Sequence, residues 1–216
     1  MRLAAAGGLA CVAGLALVAL APESGGEPDL SPASTRAVSI SVGSPGSASA
    51  EAGTGFTAGP GRVVTVAHLV DAARTVAVRA PGRTGRLHGK VLRLDPRNDL
   101  ALLSVPGLRA PELRTGAAGG RVRLLLRRAG RMLTLPARVR REITAHLRGA
   151  RGRPALELGA RIAAGDSGAA VVGPGGEVVG VIFARSRERA RTAYAVGAAP
   201  LARLVGSAAR PASEGL

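Results

Sequence analysis

Short apolar runs, each bounded by glycine, proline or charged residues, divide the chain between residues 37 and 205. Strict alternation from Val38 to Val42 is typical of a half-buried strand. A helix is predicted only over 199–205, apart from a candidate single turn after His68. About a dozen short strands favour an all-β fold, either a sandwich or a pair of barrels. The other strand candidates are 54–58, 63–66, 75–79, 86–94, 100–105, 121–126, 132–140, 142–147, 154–159, 169–173, 177–184 and 192–196.

The loop at residues 106–120 is rich in glycine and proline and divides these strand candidates into two sets of similar number. We expect the boundary between two halves of one folded domain, residues 37–205, to lie in this loop. Residues 22–36 are rich in proline, serine and glycine and predict a flexible linker. Residues 206–216 predict a disordered tail.

The N-terminal segment from Leu3 to Ala21 carries no charge and follows Arg2. Its length lies between that of a signal-peptide core and that of a membrane span. Ala19-Leu20-Ala21 has the small-x-small form of a cleavage site, although Pro22 would follow the cut. Residues 1–21 are therefore either a signal peptide or an uncleaved signal anchor. Both predict export to an extracellular or periplasm-like space, either secreted or attached to the membrane through residues 3–21.

The formal net charge of +16 raises the question of nucleic-acid binding. Lys90 is the only lysine among the 30 basic residues, and the arginines are scattered rather than clustered. The aromatic residues are only Phe56, Phe183 and Tyr194, too few to provide a platform on which bases could stack. We therefore expect no nucleic-acid partner and a core built from Val, Leu, Ile and Ala. The single cysteine, Cys11, excludes an intramolecular disulfide.

Three phrases far apart in the chain carry the chemistry: VTVAHLV at 64–70, NDLALL at 98–103 and GDSG at 165–168. They place His68, Asp99 and Ser167 in the order His-Asp-Ser, which is the order found in chymotrypsin-type serine peptidases. A serine hydroxyl needs a neighbouring base to remove its proton, and a histidine with a pKa of about 6.5 suits that task. A carboxylate then fixes the imidazole tautomer. The pattern predicts peptide-bond hydrolysis through an acyl-enzyme intermediate, without a cofactor or metal.

Other residues could in principle compete for these roles. His88 and His146 lack a comparable context and are expected at the surface, and Asp95 precedes Pro96, as turn residues often do. The glycines around Ser167 allow a tight turn, in which the amides of Gly165 and Ser167 would form an oxyanion hole.

These phrases resemble the trypsin-like serine peptidases of chymotrypsin fold. The resemblance extends over nearly all of 37–205 and is strongest to exported bacterial members of the high-temperature-requirement type and to actinobacterial membrane-anchored proteases. It rests on GTGFTAGPGRVVTVAHLV, LRLDPRNDLALLSV, GDSGAAVVGPGGEVVGVIFA and TAYAV. It implies two six-stranded antiparallel β-barrels with a short C-terminal helix, and a triad of His68, Asp99 and Ser167.

The resemblance also places substrate-binding residues. It puts the floor of the specificity pocket at Arg161, which argues against cleavage after Lys or Arg. Ile182, Phe183 and Ala184 match the edge strand that pairs with substrate backbone.

Three departures from the family pattern stand out. Ala169 and Ala170 replace the usual Gly-Pro, the disulfides of secreted animal enzymes are absent, and no Ile-Val-Gly-Gly sequence provides a new N-terminus on activation. Asp166, which that terminus would bind, must therefore find another partner, for which an arginine is the candidate.

The leading hypothesis is an exported serine endopeptidase acting on a peptide or protein substrate. The alternative is a catalytically silent trypsin-like domain that binds peptides in the same cleft. A basic adhesion or nucleic-acid-binding protein is a third hypothesis. The sequence leaves the natural substrate and the oligomeric state open.

Overall fold

A computed structural model describes residues 36–43, 50–73, 75–146 and 152–206. The predicted leader at 1–21, and almost all of the predicted linker at 22–36 and tail at 206–216, lie outside these residues. Within the described ranges, no helix is long and apolar enough to cross a membrane.

The first half of the chain closes into an antiparallel barrel. Its strands are β1 (Ala37–Gly43), β2 (Ala50–Thr57), β3 (Arg62–Thr65), β4 (Thr75–Arg79), β5 (Leu87–Asp95) and β6 (Leu100–Ser104). They neighbour one another in the order β1-β2-β3-β6-β5-β4. A single helical turn, α1 (Ala67–Val70), follows β3.

The second half forms another barrel. Its strands are β7 (Arg121–Arg128), β8 (Arg131–Ala145), β9 (Arg153–Gly159), β10 (Ala170–Val172), β11 (Val178–Arg185) and β12 (Thr192–Gly197). The order is β10-β11-β12-β9-β8-β7, and the helix α2 (Ala198–Gly206) follows. Two six-stranded barrels with a short C-terminal helix confirm the fold implied by the resemblance. The segment 105–120 connects them.

One element differs from the strand prediction. The runs 132–140 and 142–147, predicted as two strands, form the single strand β8. Charged residues at 140–142 lie on an exposed part of this strand, where the two predicted runs meet, and a register shift between Val139 and Arg141 keeps the strand continuous. β8 pairs with β7 through residues 131–138 and with β9 through residues 138–145.

Aliphatic side chains fill both barrels, as the composition predicted. One buried cluster includes Val38, Ile40 and Leu103 in the first barrel, and another includes Leu124 and Leu158 in the second. A third cluster joins the two barrels and contains the two phenylalanines, Phe56 and Phe183, along with Leu102 from the first barrel and Val181 from the second. This apolar contact brings the end of β3 and the loop before β10 to the same region of the molecule.

Candidate active site

His68 and Asp99 are joined directly. His68 lies in α1 with its side chain 47% exposed, whereas the Asp99 side chain is 14% exposed. The imidazole Nδ1 lies 2.8 Å from Asp99 Oδ2, and the backbone N–H of His68 donates to Oδ1 at 2.9 Å. The carboxylate therefore fixes both the backbone and the ring of His68, and leaves the other ring nitrogen free to act on a third group.

A tight turn before β6 places Asp99. The carboxylate of Asp95 accepts hydrogen bonds from the backbone N–H and the side-chain amide of Asn98, at 3.1 and 2.7 Å. Asp95 is the last residue of β5, and its carboxylate binds the turn that follows. Asp99 follows at φ 56°, a left-handed conformation that Asp and Asn adopt more readily than most residues. Its carbonyl accepts the N–H of Ala67 at 3.1 Å, which ties the turn to α1.

The loop carrying Ser167 is attached to the first barrel through Thr54. The Thr54 N–H donates to the Ser167 carbonyl at 2.9 Å, and its hydroxyl donates to the Gly165 carbonyl at 3.0 Å. A Cβ placed on Gly53 would lie 3.0 Å from the same Ser167 carbonyl and would overlap Leu69, the residue after His68. The serine loop, β2 and the histidine turn therefore meet at Gly53.

Gly168 is required by this close approach. It has φ 87°, and a Cβ there would overlap the Thr54 carbonyl oxygen and lie 2.6 Å from the Thr65 hydroxyl. Thr65 uses that hydroxyl to donate to the Thr54 carbonyl at 2.8 Å. Only glycine satisfies both the left-handed backbone and the available space.

Asp166 has the arginine partner that the sequence led us to expect. Its carboxylate is fully buried and accepts hydrogen bonds from Arg128 Nε at 3.0 Å and Nη2 at 2.5 Å. The hydrogen bond to Asp166 also raises the pKa of the Arg128 guanidinium. A third donor, the N–H of Ala163, binds the carboxylate at 2.7 Å and closes the loop on itself.

Some backbone N–H groups around Ser167 donate to a carbonyl of the protein, and others do not. Those of Asp166, Gly168 and Ala169 donate to the carbonyls of Ala163, Ile182 and Asp166, at 3.3, 2.8 and 3.0 Å. Within the described part of the chain, the amides of Gly165 and Ser167 have no such acceptor. These are the two amides predicted to form the oxyanion hole.

The two alanines after Gly168 are accommodated without opening the loop. Ala169 and Ala170 are fully buried in the apolar clusters. The Ala169 carbonyl accepts the N–H of Ile182 at 2.9 Å. Their methyl groups therefore pack into the core rather than toward the serine.

The predicted substrate-binding residues have different environments. Both backbone groups of Ile182 are bonded to the serine loop, at Gly168 and Ala169. β10 pairs with β11 only as far as Val181, so one side of β11 beyond Ile182 has no strand partner among the described residues. That open side begins at Phe183, which is 5% exposed, and continues through the half-buried Ala184. Arg161 is exposed.

Several residues with contacts at this site were not identified from the sequence. They are Thr54, Arg128 and Arg153, whose Nη2 lies 3.9 Å from Asp99 Oδ2. Thr54 had a local signal, because it lies between two glycines in a strand that must approach another segment closely. The arginines had none, since their partners lie 38 or more positions away in sequence. Among the described residues, no group of three or more His, Cys, Asp or Glu side chains could hold a metal ion.

Residues 53–181 match a family model described as a trypsin-like peptidase domain. Over 163 residues the chain is 32% identical to serine protease Rv3671c of Mycobacterium tuberculosis. The aligned region covers 69% of this chain and 40% of that protein. Serine protease MT3772, from another strain of the same organism, matches equally. The chain thus spans about 40% of the length of the curated relatives it matches.

Solved structures agree with this result. The active form of the Rv3671c protease has a TM-score of 0.71 and 29% identity, covering 85% of this chain and 84% of that one. The HtrA-type protease AlgW, solved with a tripeptide, has a TM-score of 0.68 and 18% identity, covering 83% and 61%. At that identity, the second likeness concerns the fold alone.

Proposed function

The chain belongs to the trypsin-like peptidase family, as its motifs predicted, and on this premise we propose that it is a serine endopeptidase with His68, Asp99 and Ser167 as its triad. The contact between His68 Nδ1 and Asp99 Oδ2 is the observation that carries the proposal. It holds an exposed imidazole by one nitrogen. The approach of the serine loop to the histidine turn supports the proposal, because Leu69, the residue after His68, and the Ser167 carbonyl both lie close to Gly53.

In the proposed reaction, the free nitrogen of His68 removes the proton from the Ser167 hydroxyl as its oxygen attacks the substrate carbonyl. The imidazolium then donates that proton to the leaving amine, and the carbon–nitrogen bond breaks to give an acyl-enzyme. In the second half-reaction water attacks the ester carbonyl and loses a proton to His68. The bond between that carbon and the Ser167 oxygen then breaks, and His68 returns the proton to Ser167 as the acid is released. Throughout both steps, Asp99 holds the ring and stabilises the imidazolium.

The negative charge that forms on the substrate oxygen needs fixed donors. We assign this role to the amides of Gly165 and Ser167, whose N–H groups have no acceptor among the described residues. The pair formed by Asp166 and Arg128 supports their orientation, because it anchors the residue between them from inside the protein. Preorganised donors of this kind contribute a large part of catalysis in acyl transfer.

A peptide or protein substrate fits the open side of β11. An extended peptide could add there as a further strand from Phe183 onward, with Ile182 supporting the serine loop from behind. Arg161 remains our candidate for the pocket floor, and its positive charge disfavours Lys or Arg before the scissile bond. We also propose that the protein is exported, either secreted or attached to the membrane. The support is the uncharged segment within residues 1–21, which follows Arg2.

The silent peptide-binding domain is the second candidate. The sequence feature that suggests it is the replacement of the usual Gly-Pro by Ala169-Ala170, whose methyl groups pack into the core in this structure. Both functions would use the same cleft. They differ only in whether Ser167 reacts.

Hydrolysis of fluorescein-labelled casein by the full chain tests the proposal. We expect the wild type and His88→Ala to release fluorescence at similar rates, because His88 is an exposed residue of β5. Ser167→Ala should lose activity by a factor of about 10⁶. Equal rates in the wild type and Ser167→Ala would contradict it, and casein binding without hydrolysis would favour the silent domain.

A further inference from the structure

The open side of β11, which we assign to the substrate strand, borders a row of residues that crosses four strands. Ala184 on β11 lies opposite Tyr194 on β12. Tyr194 in turn lies opposite Glu157 on β9, and Glu157 lies opposite Arg141 on β8. Directly opposed residues of neighbouring strands point to the same face of a sheet. These four side chains therefore share one face of the second barrel, which we call the outer face.

Burial shows where the outer face lies. Four aliphatic residues of β9 and the loop after it belong to the cluster inside the second barrel: Leu156, Leu158, Ala160 and Ile162. Glu157 and Arg161 alternate with them, so both belong to the outer face. Ala184 and Tyr194, on the same face, pack against the apolar cluster that joins the two barrels. The outer face therefore borders the junction at which the proposed catalytic residues meet.

The outer face carries an excess of positive charge. The Glu157 carboxylate, whose side chain is 3% exposed, forms ion pairs with Arg141 at 3.0 Å, Arg189 at 3.0 Å and Arg140 at 3.7 Å. The three arginine side chains are 44% to 61% exposed. Three positive charges against one buried negative charge leave this group, the Glu157 cluster, with a net charge of +2. Arg161 is exposed and forms no ion pair with any described carboxylate.

Hydrogen bonds fix Arg189 beside the strand assigned to substrate. It lies in the loop at residues 186–191, directly after β11, where its backbone N–H donates to the Ser186 hydroxyl at 2.9 Å. Its Nη2 also donates to the Tyr194 hydroxyl at 3.0 Å. The Tyr194 ring stacks with Phe183, the first residue of the open side of β11, with 6.4 Å between the ring centroids. The charge of Arg189 is therefore held in place next to the open side.

A peptide strand added to β11 would present some of its side chains to this charge. The peptide residue opposite Ala184, and its second neighbours along the peptide, would point to the outer face. Tyr194 would lie two strand spacings, about 10 Å, from that residue, and Ala184 contributes only a methyl group to the gap. A glutamate at this peptide position would reach to within about one Debye length, ~8 Å, of the guanidinium that binds the Tyr194 hydroxyl.

We propose that the outer face selects substrates with an acidic side chain at the peptide position opposite Ala184, and that Arg189 and Arg141 determine this preference. The inference rests on the proposed function, because it names the substrate class of the same cleft. Complementary charge favours the acidic peptide and disfavours a basic one. The net charge of +16 attracts any acidic peptide, so selection by the outer face must depend on where the acid and the arginine lie.

Peptide binding to the full chain carrying Ser167→Ala tests the preference without hydrolysis. Short fluorescein-labelled peptides of Ala, Ser and Leu carry either Glu or Gln at one position, and each position is tried in turn. Fluorescence anisotropy gives the ratio of the two Kd values at each position. We expect Glu to be favoured about fivefold at particular positions, the effect of one exposed charge pair, and less as NaCl is added. The same ratio at every position, including no binding of either peptide, would overturn the inference.

Arginine variants in the same background show whether the outer face is responsible. Arg189→Gln and Arg141→Gln should each bring the ratio closer to one, whereas Arg189→Lys, which keeps the charge, should preserve most of it. Arg109→Gln removes the same charge from the segment that connects the barrels and should leave the ratio unchanged. A distorted loop would weaken both peptides of a pair and cancel in the ratio. An unchanged ratio in both neutral variants, or an equal change in Arg109→Gln, would contradict the assignment.

Hydrolysis of the same peptides by the wild type separates this inference from the proposed function. If both hold, the ratio of kcat/KM values should follow the ratio of Kd values. Cleavage of Glu and Gln peptides with equal kcat/KM and equal Kd would refute the acidic preference and leave the peptidase in place. Preferential binding of the Glu peptides without cleavage would refute the peptidase and keep the preference.

Discussion

Asp99 satisfies two requirements that few residues meet together. It adopts φ 56° at the start of β6, and its two carboxylate oxygens serve the backbone and the ring of one residue, His68. Aspartate tolerates the backbone and provides both acceptors. Asparagine tolerates the same backbone and keeps one acceptor, so it removes the charge with little other change.

We therefore expect Asp99→Asn to fold normally and to lose activity by a factor on the order of 10⁴, because the imidazole would adopt the wrong tautomer. The measurement is kcat on labelled casein, with thermal unfolding as the check on folding. Activity within tenfold of the wild type would remove Asp99 from the triad.

Gly168 allows a steric test with a matched control. Gly168→Ala should destabilise the protein by more than about 2 kcal/mol, since the methyl group would meet the Thr54 carbonyl in addition to the cost of a left-handed backbone. Gly82 has a similar φ of 69°, but a Cβ added there would have nothing within 4 Å. Gly82→Ala should lower the free energy of unfolding only by the cost of the left-handed backbone, about 1 kcal/mol. Urea unfolding of both variants measures the two losses of stability. Equal losses would show that the serine loop shifts to make room for the methyl group at Gly168.

At the scale of elements, the hairpin of β7 and β8 supports the serine loop through Arg128. This arginine, at the end of β7, neutralises the buried Asp166 carboxylate. The sequence indicated that Asp166 would need an arginine but could not say which one, because the pairing depends on how the second barrel closes. Local patterns identified His68, Asp99 and Ser167 for the opposite reason: each has a distinctive neighbourhood within a few residues.

Arg128→Met should lower kcat on casein by about 10²-fold, as loss of one oxyanion donor does, since it leaves a buried carboxylate unpaired beside those donors. Arg131→Met, across the same turn and exposed, is the control and should be near wild type. Full activity in Arg128→Met would mean that the loop holds its shape without the ion pair.

Glu157 on β9 links a second set of elements. Burial opposes its ionisation, but hydrogen bonds from Arg141 and Arg189 prevail and lower the pKa of Glu157. A lowered carboxylate pKa stabilises the folded state above the unfolded-state value of about 4.3. That contribution is lost as pH falls through the lower, folded-state value.

In urea unfolding, the wild type should therefore be more stable than Glu157→Gln at pH 6, and the difference should shrink below pH 4. A difference that is constant from pH 6 to pH 3 would show that the charge of Glu157 contributes nothing. The cluster around it was not evident from the sequence, because Arg141 and Arg189 lie 16 and 32 positions away from Glu157 in the chain.

At the scale of the whole molecule, the proposed chemistry requires both barrels. The first barrel provides His68 and Asp99 and the second provides Ser167, and Thr54 fastens the serine loop across the junction. The loop at residues 106–120 predicted this division, and an apolar cluster joins the two barrels. Contacts such as that of Arg153 with Asp99 arise only when the two halves pack, so no local pattern could reveal them.

Fluorophosphonate labelling of the full chain, followed by mapping of the modified residue, tests the central claim most directly. The reagent reacts with a serine only where a base activates it. We expect one adduct, on Ser167, which is absent from Ser167→Ala and strongly reduced in Asp99→Asn. An unlabelled wild type, or an adduct that persists in Ser167→Ala, would contradict an activated serine at this position.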